Sequence, residues 1–144
     1  MDVNIRRCMV SDARNIYELC VNELGYDFTY EQVEANVRRL LGSKENLILV
    51  AADVNDNCIG FIHANNHDPI YAPPMKDVIA VAVTPEKRNK GIGGMLIRAV
   101  EKWARDTGAA GVRLNAGVEQ NVGVFYKAQG YTYMKTAYNY RKMF

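Results

Sequence analysis

Residues 81–96 decide the fold of this chain and read VAVTPEKRNKGIGGML. An apolar strand leads into a loop with three cations and three glycines, and the loop opens directly into an amphipathic helix. Backbone N–H groups at the beginning of a helix have no partners and carry partial positive charge, so they attract anions. Glycine lets a phosphate come close to the backbone because no Cβ intervenes. With Lys87, Arg88 and Lys90 alongside, the segment predicts a site for a phosphorylated ligand and favours a diphosphate.

Two familiar nucleotide-binding loops do not fit this segment. A Walker A loop requires GxxxxGK[ST], and no glycine here is followed by Lys-Ser or Lys-Thr. A dinucleotide-binding GxGxxG that begins at Gly91 would need glycine at position 96, where Leu96 stands. On the residues alone, the alternative is a glycine-rich turn that enters a helix with solvated Lys and Arg side chains.

Hydrophobic periodicity along the rest of the chain predicts a single mixed α/β domain over residues 1–144. Apolar runs predict strands over residues 3–8, 47–52, 58–63, 78–83 and 111–115, with two more between 131 and 144. Apolar stripes and capping residues predict helices over residues 11–24, 29–41, 94–107 and 119–129. Hairpins in the first half of the chain and crossover helices in the second half indicate a partly parallel sheet of about seven strands, flanked by about four helices. The segment from Asn65 to Met75, with three prolines, is predicted as a long loop.

Composition and charge exclude several classes of function. The 144 residues are 49% apolar and 24% charged, as in a globular domain, and the net charge of +2 argues against nucleic-acid or membrane partners. Cys8, Cys20 and Cys58 form no CxxC pair, so we expect reduced, mostly buried thiols. His63 and His67 lack the Glu of HExxH, so we expect no metal site. No secretory signal or membrane span is recognisable, which favours a cytoplasmic protein.

The glycine-rich segment also resembles the central motif of the GNAT superfamily of acyl-CoA N-acyltransferases. Residues 88–93, RNKGIG, match the pattern R/Q-x-x-G-x-G/A of that family. A V-x-P strand end precedes the motif at residues 83–85, and an amphipathic helix follows from Met95 to Arg105. The order of strands and helices agrees over most of the chain. The resemblance implies the family's fold and the transfer of an acetyl group from acetyl-CoA to an amine.

The resemblance further implies where coenzyme A binds. In the family, the loop amides hold the diphosphate, and the end of the preceding strand pairs with the pantetheine arm as another strand would. Carried over by position, the cofactor-binding residues are Val81, Ala82, Val83, Arg88, Asn89, Lys90, Gly91, Ile92, Gly93, Gly94, Asn121 and Tyr126. The family's Asn lies further before its tyrosine than Asn121 lies before Tyr126, so the role of Asn121 stays open.

A tyrosine is the candidate general acid. Residues 125–131, FYKAQGY, resemble the family's F-Y-x-x-x-G-[FY] segment, in which the tyrosine hydroxyl points at the sulfur of the coenzyme. By this resemblance Tyr126 protonates the departing thiolate. A phenol is suited to the task because its ordinary pKa of about 10 keeps it protonated at neutral pH. The alternative is that Tyr126 packs under the sheet without a chemical role.

The candidate general base is Asp77, at the beginning of the central strand, where some family members carry a glutamate. Two-residue alternation predicts that Asp77 shares one face of the strand with Val81 and Val83. A carboxylate has an ordinary pKa near 4, so it needs burial or a water relay to act well at neutral pH. His63, His67 or water are the alternatives, and a solvated Asp77 without a role also stays open.

The acceptor is expected at the least regular segments, the turn Gly25–Phe28 and the loop Asn65–Met75. Asp27, Glu31 and Asp68 would attract a cationic amine, and Tyr26, Phe28 and Tyr71 would pack on its carbon skeleton. Residues 138–144 either line the acceptor cleft or form an edge strand in a homodimer. The sequence favours a small-molecule primary amine, attacked directly in a ternary complex. A peptide or protein amine and a non-catalytic acyl-CoA-binding module are the alternatives, and Tyr126 favours an enzyme over the latter.

Overall fold

A five-stranded sheet, in which neighbouring strands follow one another in chain order, lies at the centre of the molecule. It is seen in a computed structural model that describes residues 2–117 and 122–144. The strands are β1 (Asn4–Arg7), β2 (Asn46–Ala52), β3 (Cys58–His67), β4 (Met75–Val83) and β5 (Val112–Leu114). The first four strands pair antiparallel, whereas β4 and β5 pair parallel. The helices are α1 (Ala13–Asn22), α2 (Tyr30–Leu41), α3 (Ile92–Asp106) and α4 (Gly123–Ala128).

The predicted mixed α/β fold with four helices is confirmed, but the predicted count of about seven strands is wrong. The two strands expected between Tyr131 and Phe144 are absent, because no backbone hydrogen bond joins residues 132–144 to another described part of the chain. A strand exists only by pairing, so strand-forming side chains alone do not create one. The part of the last predicted helix that precedes Val122, which includes Asn121, lies outside the described residues.

Local sequence signals set the ends of α2 as predicted. The Thr29 hydroxyl accepts a hydrogen bond from the Gln32 backbone N–H at 3.2 Å, and the Gln32 side chain accepts one from the Thr29 N–H at 3.1 Å. This reciprocal capping box satisfies two of the N–H groups that a helix beginning leaves unpaired. Gly42 lies directly after the last turn, as expected.

The sheet separates two hydrophobic cores. On one face, Ile48 and Val50 of β2 pack with α1 and α2. On the other face, Leu47 and Leu49 pack with α3, and β5 and α4 complete this second core. Because β2 is covered on both faces, its sequence is a continuous apolar run rather than an alternating one.

Strands β3 and β4 are longer than their apolar runs predict. Asn65 pairs with Asp77, and the pairing continues to the last residue of β3, so the loop spans residues 68–74 and not the predicted Asn65 to Met75. Polar residues extend the strands here because their side chains find partners. The Lys76 ammonium donates to Asn66 Oδ1 at 2.6 Å and lies 3.9 Å from the centroid of the Trp103 ring.

One charged cluster ties β1 to the segment that precedes α1. The Arg6 guanidinium donates to both carboxylate oxygens of Asp12, at 2.8 and 2.9 Å, and to Asp56 Oδ1 at 2.7 Å. Asp12 is buried, and it also accepts a hydrogen bond from the Met9 N–H. Burial alone would raise the pKa of the Asp12 carboxyl, but the hydrogen bonds from Arg6 and Met9 outweigh burial and lower it.

Removing this carboxylate should destabilise the fold in a pH-dependent way. We expect Asp12→Asn to lower the free energy of unfolding at neutral pH by about 3 kcal/mol, because the Arg6 charge loses its buried partner. The lowered folded-state pKa means that this stability is complete above the unfolded-state pKa of about 4 and is lost as the pH falls through the folded value. Urea unfolding over a series of acidic pH values should therefore show a steeper loss for the wild type than for Asp12→Asn.

The matched control is Asp106→Asn, which removes an exposed carboxylate paired with Lys102 at 2.6 Å within α3. Asp106→Asn should lower the free energy of unfolding by no more than about 0.5 kcal/mol. Equal effects of the two substitutions would contradict a structural role for the buried pair.

Candidate functional site

The backbone of β4 is open along the second half of one edge. β4 pairs with β5 only from Lys76 to Val78, and no described strand lies beyond that point on the β5 side. On the other side, β4 pairs with β3 as far as Val83. Residues 79–83, which include three of the predicted coenzyme contacts, therefore present unpaired backbone groups to a gap between β4 and β5.

A β-bulge accompanies the separation of these two strands. His63 pairs with Ala80 and Ala64 pairs with Val78, so Ile79 is an extra residue in β4 without a partner on β3. A bulge bends the strand and increases its local twist, and bulges are frequent beside active sites. Ile79 is 47% exposed, which is unusual for an apolar residue inside a central strand.

The glycine-rich loop leads into α3, and no side chain caps the N-terminus of this helix. Gly91 precedes α3 with φ of +82°, in the left-handed region that glycine adopts without strain. The first backbone bond of the helix runs from the Met95 N–H to the Gly91 carbonyl at 3.0 Å. The N–H groups of residues 92–94 therefore have no partner within the helix, which is the arrangement that the predicted anion-binding site requires.

Of the three cations in this loop, one is already paired. The Arg88 guanidinium donates to Glu23 Oε1 at 2.5 Å, and Glu23 directly follows α1. The Glu23 side chain is 17% exposed, whereas that of Arg88 is 51% exposed. The ion pair holds the loop against α1, and the charges of Lys87 and Lys90 remain without a recorded ion pair among the described residues.

Two glycines of the motif allow α4 to pack on the beginning of α3. A Cβ at Gly93 would lie 3.3 Å from Cζ of the Phe125 ring, and a Cβ at Gly94 would lie 3.2 Å from Nε2 of Gln129. The Phe125 ring therefore disfavours a side chain at position 93, whereas the atoms nearest to position 94, Arg98 Nη1 at 2.9 Å and the Gln129 amide, belong to flexible side chains. The consequence is that α4, which carries Tyr126, lies directly beside the loop end.

The candidate acid lies in a mostly apolar setting. The Tyr126 ring meets the Phe125 and Tyr131 rings edge to face, with centroids 5.0 and 6.1 Å apart. Burial raises the pKa of the Tyr126 phenol above its ordinary value. The Tyr131 hydroxyl is engaged elsewhere, because it donates to Glu101 Oε2 at 2.8 Å. The structure thus brings a protonated phenol to the α3 side of the sheet, where the glycine-rich loop ends.

The prediction that Asp77 shares a face with Val81 and Val83 is wrong. Val78, Val81 and Val83 all contact the core on the α3 side, because the bulge at Ile79 reverses the alternation. Asp77 precedes Val78 in the extended strand and therefore points to the opposite face.

The Asp77 carboxylate has a partner that the sequence did not indicate. Its Oδ1 accepts a hydrogen bond from Arg113 of the neighbouring strand at 3.0 Å, and Arg113 also donates to Asn115 Oδ1 at 3.4 Å. Both side chains of the ion pair are partly exposed, at 24% for Asp77 and 30% for Arg113. The carboxylate is therefore held in place at the edge of the gap but remains accessible.

The two histidines occupy different environments. His63 is half-buried, and its Nε2 lies 2.8 Å from Asn46 Oδ1. Burial, assisted by the charge of Arg39, lowers the pKa of His63, so the ring is neutral at neutral pH. His67 is the last residue of β3 and pairs with Met75. The structure records no contact that brings either ring to Asp77.

The segments proposed for acceptor binding lie at the surface. In the turn 25–28, Tyr26 is 58% and Phe28 41% exposed, and in the loop 68–74, Tyr71 is 84% exposed. Asp27, Glu31 and Asp68 are also exposed, so their charges are available to a cation. Near this turn, the Arg14 guanidinium covers the Tyr30 ring at 3.9 Å and leaves the Tyr30 hydroxyl bonded to Glu34.

Sequence reasoning missed Glu23 and Arg113, and it gave Phe125 no role of its own. Glu23 lies 65 positions before Arg88, and Arg113 lies 36 positions after Asp77, so no local pattern connects either pair. The only available signal was for Phe125, whose place directly before the candidate tyrosine belongs to the family segment. These residues position the predicted ones instead of replacing them.

The cysteines are free and chemically quiet. Cys8 and Cys58 are buried on the α1 and α2 side of the sheet. Burial, together with the negative charge of Asp12, raises the pKa of each thiol to about 12. Among residues 2–117 and 122–144, no group of His, Cys, Asp and Glu side chains is arranged to hold a metal ion. No helix in the described part of the chain is long and apolar enough to cross a membrane.

Comparison with known proteins identifies the family. The Acetyltransferase (GNAT) family profile matches residues 12–131. This chain belongs to the GNAT acetyltransferase family. The family uses acetyl-CoA, and its enzymes act on amine acceptors. Residues 12–131 include the glycine-rich loop, the gap beside β4 and the helix that carries Tyr126.

Solved structures show the same fold over nearly the whole chain. Glucosamine-6-phosphate N-acetyltransferase from Arabidopsis thaliana is 16% identical, with a TM-score of 0.83 over 98% of this chain and 99% of that one. Aminoglycoside 6'-N-acetyltransferase AAC(6')-Ih from Acinetobacter baumannii is 20% identical, with a TM-score of 0.83 over 99% of both chains. Aminoglycoside N-acetyltransferase AAC(6')-Iy, solved in complex with CoA, is 20% identical, with a TM-score of 0.85 over 98% of this chain and 95% of that one.

A curated relative matches a shorter segment. The uncharacterized N-acetyltransferase YjcF of Bacillus subtilis (strain 168) is 41% identical over 51 residues, which are 35% of this chain and 35% of that protein. The alignment with this relative therefore covers about a third of its length.

Proposed function

We propose that this chain is an N-acetyltransferase that moves the acetyl group of acetyl-CoA to a primary amine of a small molecule. The observation that carries the proposal is the continuity of the open β4 edge, residues 79–83, with the uncapped beginning of α3. Coenzyme A has an extended pantetheine arm with a diphosphate at one end. This shape matches an open strand edge that leads to the unpaired N–H groups of a helix beginning. We further propose that residues 1–144 act as one catalytic domain, and that the amine attacks directly in a ternary complex.

Coenzyme binding rests mainly on backbone groups. The N–H groups of residues 92–94 would hold the diphosphate, with the charges of Lys87 and Lys90 beside them. The backbone of Val81, Ala82 and Val83 would pair with the pantetheine arm along the open edge. Arg88 is expected to shape the loop through Glu23 more than to contact phosphate directly, because its guanidinium is already paired.

Each reacting group has a defined task in the proposed chemistry. Acetyl-CoA supplies the acetyl group as a thioester, and the nitrogen of the amine forms the new bond to the carbonyl carbon while the bond to sulfur breaks. Tyr126 donates its phenolic proton to the departing thiolate. Because burial raises the pKa of Tyr126, the phenol still holds this proton at neutral pH. Asp77 accepts a proton from the attacking amine, either directly or through water. His63 and His67 are the alternative bases.

A small-molecule acceptor is supported by the exposed aromatic and acidic side chains of the turn 25–28 and the loop 68–74. Carboxylates would attract a cationic amine, and tyrosine rings would pack on its carbon skeleton. Three structural neighbours are a glucosamine-6-phosphate N-acetyltransferase and two aminoglycoside N-acetyltransferases, which favours the same class of acceptor here. A peptide or protein amine is the nearest alternative. The absence of a disulfide among the free thiols Cys8, Cys20 and Cys58 supports a reducing, cytoplasmic location.

The coenzyme loop is tested by a pair of glycine substitutions. Gly91→Glu should weaken coenzyme A binding by about tenfold or more, because it places a carboxylate beside the amides that would hold the diphosphate. Gly108→Glu is the matched control: φ is +78° there and +82° at Gly91, and an added Cβ meets nothing within 4 Å at either position. Calorimetric titration with coenzyme A compares the two, and equal affinities would overturn the loop assignment.

The role of Tyr126 is tested by turnover. An amine library, extended with peptides, is screened for release of free thiol from acetyl-CoA, and the best acceptor is then used for variants. Tyr126→Phe should lower kcat by about 100-fold and leave coenzyme A affinity unchanged. Tyr131→Phe, which removes a neighbouring hydroxyl bonded to Glu101, should leave kcat close to the wild-type value.

Two outcomes of this experiment would count against the proposal. Full turnover of Tyr126→Phe would remove Tyr126 as the general acid. Absence of thiol release with every amine and peptide, despite normal coenzyme A binding, would favour the non-catalytic acyl-CoA-binding module.

The role of Asp77 is tested against that of its partner. If Asp77 is the base, Asp77→Asn should lower kcat by about 100-fold and abolish the acidic limb of the pH–rate profile. Arg113→Gln breaks the same ion pair but keeps the carboxylate, so its acidic limb should persist. If both variants lose activity equally and keep the same profile, the pair is structural and the base is His63, His67 or water.

A further inference from the structure

A cavity of about 280 Å³ lies apart from the candidate site, at the end of the sheet where β2 begins. Residues from β1, from the connection between α2 and β2, from β2 and from α3 line it, and they include Arg7, Leu41, Ser43, Lys44, Leu47 and Trp103. Trp103 lies near the C-terminal end of α3, about 16 Å along the helix axis from Ile92. No residue assigned above to the coenzyme, the acid, the base or the acceptor lines this cavity.

Part of the lining is apolar. Leu47 is buried in the core under α3, and the half-buried Trp103 ring packs against the same core. Leu41, the last residue of α2, adds an exposed apolar side chain. Sites for small molecules have volumes of about 300–1,000 Å³ and mostly apolar linings, so this cavity lies at the lower end of their range. It therefore suits a small ligand with a flat apolar body, such as a single aromatic ring.

The charged side chains of the lining are both cations. Arg7 and Lys44 are exposed, neither has a recorded ion pair, and no Asp or Glu among the described residues belongs to the lining. The neighbouring Arg6 points to the other face of β1, because side chains alternate along a strand, and there it pairs with Asp12 and Asp56. On its own face Arg7 has no such carboxylate. The cavity therefore has an unbalanced positive charge.

A third cation contacts the Trp103 ring. Lys76 is only 7% exposed, and its ammonium lies 3.9 Å from the centroid of this ring. Its recorded hydrogen bond goes to the neutral side chain of Asn66, so no carboxylate among the described residues balances this buried charge. Burial without a counter-charge lowers the pKa of Lys76. Because buried charges are normally paired, an anion bound against the Trp103 ring would supply what the chain itself lacks here.

The connection between α2 and β2 is held in place by its own hydrogen bonds. The Ser43 hydroxyl oxygen accepts from the Glu45 N–H at 3.2 Å and from the Asn46 side-chain amide at 3.0 Å. The Asn66 N–H of β3 donates to the Glu45 carbonyl at 2.9 Å. A hydroxyl has one proton to donate, and no acceptor for that of Ser43 is recorded among the described residues. The lining thus offers a hydroxyl donor next to Lys44 in the chain.

The carbonyl end of α2, which would repel an anion, is largely satisfied. The Gly42 N–H donates to the Arg39 carbonyl at 3.3 Å, and the Ser43 N–H donates to the Leu40 carbonyl at 3.0 Å. Arg39 also places a cation in the last turn, where it offsets the partial negative charge of a helix end. The cations of the lining therefore decide the sign of the ligand.

We propose that this cavity binds a small aromatic anion, with its ring against Trp103 and its carboxylate or phosphate group held by Arg7 and Lys44. A guanidinium is suited to either group, because its planar fork donates parallel hydrogen bonds to two oxygens. The Ser43 hydroxyl would donate a further bond. The site is separate from the coenzyme loop, and the inference depends on no residue assigned to acetyl transfer.

The first test uses Trp103, the only tryptophan of the chain, whose indole N–H gives a single signal in a ¹H–¹⁵N correlation spectrum. Titration with sodium benzoate and with phenyl phosphate should shift this signal to saturation with at least one of the two. Neutral benzyl alcohol and cationic benzylamine carry the same ring without the anionic group and should leave the signal in place. No shift with either anion, or an equal shift with either control, would overturn the proposal.

Two double substitutions assign the binding to this cavity. Arg7→Gln combined with Lys44→Gln should raise the Kd of the anion by about tenfold or more, because both proposed charge contacts are lost. Lys102→Gln combined with Arg105→Gln removes the same charge from exposed positions of α3 outside the lining. Salt screens these charges, so the Kd should stay within about twofold of the wild-type value. Equal weakening in both variants would mean attraction to net charge alone and would count against a built site.

A last titration separates this site from the coenzyme loop. In the presence of saturating coenzyme A, the anion should still shift the Trp103 signal with an unchanged Kd. Loss of the shift would place the anion in the coenzyme site and would overturn the proposal. If coenzyme A does not bind, the titrations with benzoate and phenyl phosphate still report on this cavity. Failure of the coenzyme assignment and failure of this one are therefore observed separately.

Discussion

The bulge at Ile79 is the constraint on which the candidate site depends. One extra residue in β4, against an unbroken β3, turns the second half of the strand away from β5. Pairing with β3 holds this half rigidly in place, so its other edge stays open without becoming a loose loop. The same bulge sends Asp77 and Val81 to opposite faces of the sheet. A single backbone irregularity thus separates the proposed proton acceptor from the proposed coenzyme contacts.

The beginning of α3 adds a second fixed element to this arrangement. Gly91 sets the direction of the helix with a left-handed backbone conformation, and Gly93 accepts the Phe125 ring at van der Waals distance. The loop before it is held from the other side by the ion pair between Arg88 and Glu23. Contacts from α1, α3 and α4 therefore position the loop by themselves, which would lower the entropic cost of the proposed coenzyme binding.

Sequence reasoning succeeded where the determining contacts are local. The capping box at Thr29 and the beginning of α3 depend on bonds that span three or four residues, and both lie close to where the sequence predicts them. It failed where a distant partner decides the outcome. The face of Asp77 depends on the register with β3, and the two strands expected between residues 131 and 144 find no pairing strand among the described residues. The partner of Arg88 lies 65 residues away, beyond the reach of any periodic pattern.

The two buried thiols have a chemical consequence for a protein of this family. A thioester exchanges its acyl group with a thiolate much faster than with a thiol, so any ionised cysteine nearby would be acylated in place of the acceptor. Cys8 and Cys58, each with a pKa of about 12, are almost entirely protonated at neutral pH. Both thiols lie on the α1 and α2 side of the sheet, beside the Asp12 carboxylate. This position protects the chain from self-acylation at these two cysteines, so the acyl group stays available to an amine.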